Sequence, residues 1–424
     1  MSVVRLGAIA DDLTGATDLA GLLVHHGMRT LLMVGIPAQD IRLPDCDAVI
    51  VALKSRAAPA ADAVAQALAA RQWLRDRGAK QYFFKICSTF DSTDAGNIGP
   101  VADALLESVG ADIQVVCPAY PATLRTVYQG HLFVGDQLLA ESSMRHHPLT
   151  PMRDSNLLRL LQRQSRHRVG GIAWPAVARG AAAIADALRD LAREGCRHAV
   201  VDAIRDEDLI AIARASADAP LLTGGAGLAT GLPENFRRPG HLLADTVASP
   251  ISGFGGPAAV LAGSCSTASR RQVAYLLPQL PSIAIDPLAA ADPERLAALA
   301  LASLEKPLSR GDPVMIYSSV EPESVAAIQS RLGTHEAANL VEHTFAILAK
   351  RLVERGVRRL VVAGGETSGA VVAALKVRAL AIGPQIDPGV PWTRVLGQPE
   401  VLLALKSGNF GGPDFFQKAL AMSQ

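Results

Sequence analysis

The fold is decided most clearly by the stretch Leu360-Val361-Val362-Ala363-Gly364-Gly365-Glu366-Thr367-Ser368-Gly369-Ala370-Val371-Val372-Ala373-Ala374-Leu375. The first four residues form a short, continuous apolar run, which predicts a buried parallel strand. The last six are apolar and rich in alanine, which predicts a helix. The glycine-rich turn between them brings together backbone N–H groups and the positive end of a helix dipole, an arrangement that suits a phosphate. A tight turn without a ligand is the alternative that this stretch leaves open.

Short apolar runs alternate with helical segments along the rest of the chain. The predicted strands are Arg5–Ala10, Thr30–Val34, Ala48–Leu53, Tyr82–Ile86, Ile113–Cys117, Ala199–Asp202 and Ala258–Ala262. The predicted helices are Ala16–His26, a segment from Pro59 to near Gly78, Ala181–Arg193, Asp206–Ala213 and a segment that begins near Ala268. Such alternation is typical of α/β proteins with mostly parallel sheets.

The pattern also indicates where the chain divides. Residues 248–257 are rich in glycine, proline and serine and are predicted to form a linker. We therefore expect two α/β domains, residues 1–247 and 258–424, each a mostly parallel sheet flanked by helices. Ligands often bind at domain interfaces, so an interdomain active-site cleft is expected. The more polar region 131–168 is predicted either to cover the site or to pack against the sheet.

Composition argues against several classes of protein. The 424 residues carry 41 Lys and Arg against 40 Asp and Glu, so neither nucleic acid nor an anionic membrane is expected as a partner. Five cysteines without a C-x-x-C pair indicate free thiols in a reducing compartment. We find no signal peptide pattern and no apolar run long enough for a membrane span, so a cytoplasmic protein is expected. The oligomeric state is left open, with a homo-oligomer among the options.

Familiar nucleotide motifs are absent or imperfect. Neither Lys54-Ser55 nor Lys406-Ser407 follows the glycine pattern of a P-loop. Gly225-Ala226-Gly227-Leu228-Ala229-Thr230 comes near a dinucleotide fingerprint but ends in threonine, so a packed turn is the favoured interpretation. This imperfect match is the only support for a nicotinamide-dependent dehydrogenase.

Polar residues in the first half cluster in loops that mostly follow predicted strands. The candidates are Asp11, Asp12, Lys54, Ser55, Arg56, Lys85, Ser88, Thr89 and Asp91. Loops at the carboxyl ends of strands in an open α/β sheet converge on one crevice. Lysine and arginine pair with carboxylates, and aspartate accepts sugar hydroxyls or acts as a general base. The candidates therefore predict a site for a small, hydroxylated, anionic molecule.

Asp11 and Asp12 are the catalytic candidates. Adjacent carboxylates repel each other unless a partner compensates them, so a functional role is favoured over an N-cap or turn role. For Asp18 the N-cap or turn role is favoured instead.

Three loops in the second half combine glycine with serine or threonine. The candidates there are Ser264, Ser266, Gly364, Gly365, Glu366, Thr367 and Gly408. Glycine lets backbone amides approach phosphates, and hydroxyl groups add further donors. Three such loops predict a nucleotide-binding domain without a P-loop.

The chain resembles the four-carbon acid sugar kinase family over nearly its whole length. The resemblance rests on Ala10-Asp11-Asp12-Leu13-Thr14-Gly15-Ala16, Cys117-Pro118-Ala119-Tyr120-Pro121 and the glycine-rich loops of the second half. The stretches most similar to the 3-oxo-tetronate kinase branch are Cys87-Ser88-Thr89-Phe90-Asp91-Ser92-Thr93, Gly364 to Gly369, Ile382-Gly383-Pro384 with Pro388-Gly389-Val390-Pro391-Trp392, and Leu405-Lys406-Ser407-Gly408-Asn409-Phe410-Gly411. Residues 93–97 lack the basic residue of the Leu-Arg-Gly-Asn stretch that many members carry, which fits this branch better than threonate kinases.

The resemblance implies a sugar-acid-binding N-terminal domain and an ATP-binding C-terminal domain. The implied reaction is phosphorylation by ATP of the terminal 4-hydroxyl of a 3-oxo-tetronate, such as 3-dehydro-erythronate. By motif match, Ser264, Gly364–Thr367 and Gly408 would contact ATP, and Ser266 is a second candidate on the first loop. Mg²⁺ is expected on the ATP phosphates, and its protein ligands are unknown.

In the corresponding hypothesis of in-line transfer, Asp12 or Asp11 orients or deprotonates the 4-hydroxyl. Lys54, Arg56 and Lys85 hold the carboxylate or the transferring phosphate. The alternatives are a threonate or erythronate 4-kinase and a non-catalytic sugar-acid-binding sensor. The residues leave the choice between the two aspartates open.

Overall fold

The computed structural model describes residues 4–146, 150–242, 256–318 and 330–422. The chain forms two compact units, Met1–Ala248 and Ser249–Gln424. The linker predicted at residues 248–257 lies largely outside the described residues. No helix among the described residues is long and apolar enough to cross a membrane.

The first unit alternates strands with helices. Its strands are β1 (Leu6–Ala10), β2 (Thr30–Val34), β3 (Ala48–Ala52), β4 (Gln81–Lys85), β5 (Gln114–Cys117), β6 (Arg125–Tyr128), β7 (His131–Val134), β8 (Gln137–Leu138), β9 (Arg168–Ile172), β10 (Cys196–Val201) and β11 (Leu221–Gly224). Its helices are α1 (Leu13–His25), α2 (Ala60–Arg75), α3 (Ile98–Val109), α4 (Leu157–Gln164), α5 (Trp174–Val177), α6 (Ala181–Arg193), α7 (Asp206–Ala215) and α8 (Leu232–Arg237).

The main sheet of this unit is parallel throughout. Its strands follow the order β2-β3-β1-β4-β11-β5-β10-β9. Every residue of β1 and β3 is buried, as expected for strands covered on both faces. Their continuous apolar sequences are therefore explained by the absence of a solvent-facing side.

The polar region 131–168 packs onto the first unit. Strands β6, β7 and β8 form a small antiparallel sheet, and α4 packs against α3 and β9. Residues 147–149 of this region lie outside the described residues.

The second unit contains a mixed sheet. Its strands are β12 (Ala258–Ala262), β13 (Ser282–Ala284), β14 (Val314–Tyr317), β15 (Arg359–Ala363), β16 (Ala379–Asp387), β17 (Val390–Val395) and β18 (Leu402–Lys406). Its helices are α9 (Thr267–Leu276), α10 (Pro293–Ser303), α11 (Glu305–Arg310), α12 (Thr334–Glu354), α13 (Gly365–Ala374) and α14 (Phe415–Met422). The order is β13-β14-β12-β15-β18-β17-β16, with β17 antiparallel to both of its neighbours.

One face of this second sheet is closed by an apolar cluster. Trp392 on β17 and the adjacent Phe415 and Phe416 on α14 pack with Val361 and Val260 from the parallel strands. The indole N–H of Trp392 donates to the carbonyl oxygen of Ala419 at 3.2 Å, so its burial leaves no unsatisfied donor. This packing fixes the strands whose ends carry the glycine-rich loops.

The predicted α/β class is confirmed, and several element bounds agree with the prediction. The stretch from Leu360 differs in one respect, because α13 begins at Gly365 rather than near Ala370. The turn is therefore a single residue, Gly364, whose φ of 123° is open to glycine but strained for other residues. The residues that follow Gly364 form the first turn of the helix instead of a longer loop.

Candidate active site

Three neighbouring strands of the first unit bring its polar loops together. β1 lies between β3 and β4 in parallel register, so their carboxyl ends meet at one edge of the sheet. Asp11 and Asp12 follow β1, Ser55 and Arg56 follow β3, and Lys85 ends β4. The amides of Ser55 and Arg56 donate to the carbonyl oxygen of Asp11 at 3.0 and 3.1 Å. The convergence predicted from strand ends is thus realised within this unit.

Arg56 is the partner that compensates the two aspartates. Its Nε and Nη2 donate to the two carboxylate oxygens of Asp11 at 2.9 and 2.8 Å. Nη2 also donates to Oδ1 of Asp12 at 2.8 Å. One guanidinium therefore offsets the repulsion between adjacent carboxylates.

Asp12 caps helix α1 and stays ionised. Its Oδ1 accepts from the amide of Gly15 at 2.8 Å, and its Oδ2 accepts from the hydroxyl of Thr14 at 2.7 Å. Burial acts to raise the pKa of Asp12, but the positive charges of Arg56 and Lys85 outweigh burial and hold that pKa below its usual value. Asp12 therefore combines an N-cap role with a carboxylate that is charged at neutral pH.

Asp11 is less exposed to solvent than Asp12. Its side chain is 4% exposed, against 21% for Asp12. Burial raises the pKa of Asp11 despite its ion pair with Arg56. Because Arg56 engages both of its carboxylate oxygens, Asp11 is the less accessible of the two to a ligand.

The loop after β4 forms a second polar cluster. The hydroxyl of Thr89 donates to Oδ1 of Asp91 at 2.6 Å, and Sγ of Cys87 donates to Oδ2 at 3.0 Å. Burial raises the pKa of the Cys87 thiol to about 12, so it is present as a thiol. The charge of Arg56 acts on this thiol, which places the cluster beside the aspartate pair.

The remaining candidates of this unit are divided between interior and surface. Ser55 and Ser88 are buried, whereas Lys54 is exposed. Nζ of Lys85 donates to the carbonyl oxygen of Ile86 at 2.7 Å. A Cβ at Gly15 would lie 2.9 Å from that same Nζ, so the start of α1 packs closely on Lys85.

Three further residues lie beside this site although they were not among its predicted candidates. Nδ2 of Asn97 donates to the carbonyl oxygens of Ser55 and Ala58 at 2.7 and 2.9 Å and so fixes the loop after β3. Burial lowers the pKa of Arg125, at the start of β6, although the nearby carboxylates of Asp91 and Asp18 act to raise it. The signal for Arg125 was its place shortly after β5, whose carboxyl end lies at the same sheet edge.

Asp18 is the third such residue, and its predicted N-cap or turn role is wrong. It lies inside α1, is buried, and its Oδ1 accepts no hydrogen bond from the residues that the structure describes. Burial raises the pKa of Asp18 to about 7, and the negative charge of Asp12 adds to this effect. The sequence could not reveal the raised pKa of Asp18, because that pKa results from burial in the folded unit.

The imperfect dinucleotide fingerprint is a packed turn, as predicted. A Cβ at Gly225 would lie 2.5 Å from the carbonyl oxygen of Pro118, and one at Gly227 would lie 2.7 Å from that of Ala119. These glycines therefore allow two backbone segments to approach each other, which leaves the dehydrogenase interpretation without support from this turn.

The second unit also assembles three loops on adjacent strands. β15 lies between β12 and β18 in parallel register, and the loops at Gly263, Gly364 and Ser407 follow these strands. The amide of Gly364 donates to the carbonyl oxygen of Lys406 at 2.8 Å. A Cβ at Gly364 would lie 3.3 Å from the amide nitrogen of Ser264, so the first two loops are in close contact.

Hydroxyl groups join the first and third loops. Oγ of Ser266 donates to the carbonyl oxygen of Gly408 at 2.6 Å and also caps helix α9 by accepting from the amide of Ser269. A Cβ at Gly408 would lie 2.5 Å from Oγ of Ser264. Ser264, Ser266 and Gly408 are therefore neighbours in one constellation.

Helix α13 offers amides at the centre of this constellation. The first-turn N–H groups of a helix have no acceptor within the helix, and Gly364 has no side chain to cap them. The amides of Gly365, Glu366 and Thr367 thus start a helix whose positive end faces the three loops. Thr367 is buried and Glu366 is exposed.

Neither unit contains a preformed metal cluster among the described residues, where no group of three or more His, Cys, Asp or Glu side chains could hold an ion. The five cysteines are free thiols, and only Cys265 is exposed.

Comparison with known proteins divides the chain into the same two parts. A sugar-binding N-terminal domain model matches residues 6–232, and a nucleotide-binding C-terminal domain model matches residues 259–416. A 3-oxo-tetronate kinase of Cupriavidus necator is 56% identical over 98% of this chain and 96% of its own length. One of Burkholderia multivorans is 55% identical with the same coverage. This chain belongs to the 3-oxo-tetronate kinase family. The family expected from the motifs is confirmed.

Solved structures similar to this chain extend over its full length. A Salmonella typhimurium LT2 protein with the provisional description of a tRNA synthase is 44% identical, with a TM-score of 0.88 over 99% of this chain and 100% of that chain. A Haemophilus influenzae protein is 41% identical, with a TM-score of 0.75 over the same shares. The two-unit α/β fold is therefore shared within the family.

Proposed function

We propose that this protein is a 3-oxo-tetronate kinase that uses ATP to phosphorylate the 4-hydroxyl of a substrate of the 3-dehydro-erythronate type. The observation that carries the proposal is the identity of 50–56% over 98–99% of this chain to relatives named 3-oxo-tetronate kinase. The matched descriptions of the two halves, sugar-binding and nucleotide-binding, are consistent with a two-substrate transfer.

Asp12 is proposed as the residue that orients or deprotonates the 4-hydroxyl. Its lowered pKa keeps it ionised, and its greater exposure favours it over Asp11. Asp11 then holds Arg56 in place through the two-point ion pair. General base catalysis of this kind contributes about 10²–10⁴-fold to rate.

The cations and hydroxyls of the same site are proposed to bind the sugar acid. Arg56 and Lys85 lie beside the aspartates, and Lys54 is exposed on the adjacent loop. Their positive charge suits the substrate carboxylate or the transferring phosphate. Ser55, Ser88, Thr89 and Asp91 are the neighbouring groups for hydroxyl contacts.

The loops of the second unit are proposed to bind ATP. Backbone amides from Gly364 to Thr367 would hold phosphate oxygens, with Ser264, Ser266 and Gly408 around them. Mg²⁺ on the phosphates would neutralise charge during transfer, and proteins often hold this ion through one or two carboxylates together with substrate phosphates. Glu366, a carboxylate in the first turn of α13, offers the oxygen donors that Mg²⁺ prefers.

A cytoplasmic location is part of this proposal, since all five cysteines are free thiols. The interdomain cleft and the oligomeric state stay predictions.

The experiment that tests the proposal is a coupled ADP-release assay with Mg-ATP against a panel of tetronates and 3-oxo-tetronates. Turnover with a 3-oxo-tetronate alone is the expected result. Preferential turnover of threonate or erythronate would support kinase activity but reject a 3-oxo-tetronate as the substrate. No turnover and no ATP binding would favour a sugar-acid sensor.

A further inference from the structure

Lys406 is a buried cation beneath the proposed nucleotide loops. It ends β18, and its side chain is 0% exposed. Its Nζ donates to Oγ of Ser269 at 3.2 Å and to the carbonyl oxygens of Ser407 and Gly408, each at 2.9 Å. All three acceptors are neutral, and no carboxylate pairs with Lys406 in the described part of the chain. Such a buried, uncompensated ammonium is costly unless something supplies negative charge.

The hydrogen bonds of Lys406 orient the loop that follows it. The Gly408 carbonyl also accepts from the hydroxyls of Ser266 and Ser269, at 2.6 and 3.0 Å, so three donors draw it toward the interior. In a trans peptide the N–H points opposite to the C=O. The N–H groups of Gly408 and Asn409 consequently point away from the side chain of Lys406. Neither N–H group has a hydrogen-bond acceptor among the residues that the structure describes.

Among the residues that the structure describes, no charged group offsets Lys406. The elements packed against it are β15, β17, α9 and α13. The charged side chains that they carry are Arg359, Arg394, Arg270, Arg271 and Glu366. Burial alone lowers the pKa of Lys406 to about 7, and none of these groups contributes to the shift. Lys406 is thus poised to gain or lose a proton near neutral pH.

We propose that Lys406 is a positioning residue of the nucleotide site, which holds the loop so that the amides of Gly408 and Asn409 face the phosphates, and which takes up a proton from solvent when those phosphates bind. The inference rests on the proposed ATP site of the second unit. The negative phosphates stabilise the ammonium form of Lys406, so its pKa rises in the complex. By linkage, ATP affinity is greatest below about pH 7 and falls as the pH rises above the pKa of the free protein.

The test is isothermal titration calorimetry of the full-length protein with Mg-ATP at pH 8, in the absence of sugar acid. The titration is carried out in two buffers that differ in ionisation enthalpy. The difference in heat gives the number of protons taken up on binding. The expected value is close to one proton per ATP for the wild-type protein. ATP binding without proton uptake would overturn the inference and leave the proposed function intact. Absence of ATP binding would overturn both.

Matched variants assign the proton to its residue. Lys406→Met is expected to abolish proton uptake and to weaken ATP binding about tenfold or more. Lys350→Met, the same change at an exposed position on α12, is expected to match the wild type. Equal uptake in Lys406→Met and wild type would overturn the assignment.

A measurement on the wild type alone covers the case in which Lys406→Met does not fold. The Kd for Mg-ATP between pH 6 and 9, at saturating Mg²⁺, is expected to rise above about pH 7. A Kd that stays constant over this range would contradict the role of Lys406.

Discussion

The two candidate sites use opposite means to prepare for an anionic ligand. In the first unit, side-chain charges face one another, and Arg56 compensates both Asp11 and Asp12 through short hydrogen bonds. In the second unit, glycine loops and a helix start present backbone amides, and the cation beneath them, Lys406, has only neutral acceptors.

Under the proposed function, this difference gives each site its own way to recognise its ligand. A hydroxylated acid needs directional acceptors as well as cations, and paired charges provide both with little cost in repulsion. A polyphosphate carries its charge on many oxygens, and amides at a helix start bind those oxygens without side chains. We therefore expect substitutions in the two units to have different effects. Changes of charge in the first unit should alter turnover, and changes to the backbone in the second unit should alter ATP binding.

The largest expected effect is that of Asp12→Asn. Asparagine retains the N-cap hydrogen bond to Gly15 but removes the carboxylate charge. Turnover is expected to fall about 10²–10⁴-fold, the usual contribution of a general base. The measurement is kcat in the ADP-release assay, together with the Kd for ATP, which should be unchanged.

Asp186→Asn on α6 is the control for Asp12→Asn, because this aspartate is exposed and pairs with Arg189 at the surface. Near-normal turnover in Asp12→Asn would show that Asp12 acts as a helix cap alone, and the contrast between the two sites would then fail.

A smaller effect is expected for Gly364→Ala. The φ of Gly364 is 123°, and a Cβ there would lie 3.1 Å from Oγ1 of Thr367 and 3.3 Å from the amide nitrogen of Ser264. Strain of this kind costs about 1–3 kcal/mol, or roughly 5- to 150-fold in an equilibrium constant. The KM for ATP is therefore expected to rise by that order, while the KM for the sugar acid changes little.

Gly369→Ala is the matched control within the same helix. A Cβ at Gly369 meets no heavy atom within 4 Å, and alanine favours the helix by about 1 kcal/mol. Its KM for ATP should equal that of the wild type. If both variants raise this KM equally, the effect belongs to the helix rather than to the turn.

The smallest effect concerns stability and Asp18. Burial raises its pKa to about 7, so between pH 3.8 and 7 the folded protein holds a proton that the unfolded chain has lost. Stability from this group is therefore present at low pH and is lost as the pH rises through that window. Asp18→Asn removes this loss and is expected to raise the Tm by several degrees at pH 8, and by much less at pH 4.5.

Thermal unfolding at several pH values checks this expectation, with Asp186→Asn as the exposed control. A Tm difference that does not depend on pH would contradict it. The expected result would sharpen the comparison, because it would show that the cations of the first unit, which keep Asp12 ionised, do not offset the burial of Asp18.

Much of the fold could be predicted because its signals are local. The strands Thr30–Val34 and Ala258–Ala262 and the helix Ala181–Arg193 have the predicted bounds, since each is marked by its own hydrophobic pattern. The start of α13 was placed too late, because alanine content marked its middle while its first turn consists of Gly365 and polar residues.

The sequence by itself determined two α/β units and the loops that carry candidate residues, because apolar runs and glycine turns act over a few neighbouring positions. Only the tertiary structure decided which groups meet. Asp12 and Arg56 are 44 residues apart in the chain, and Lys406 and Ser269 are 137 apart. The burial that shifts the pKa values of Asp18 and Lys406 likewise depends on the packing of distant segments, so no local pattern could indicate it.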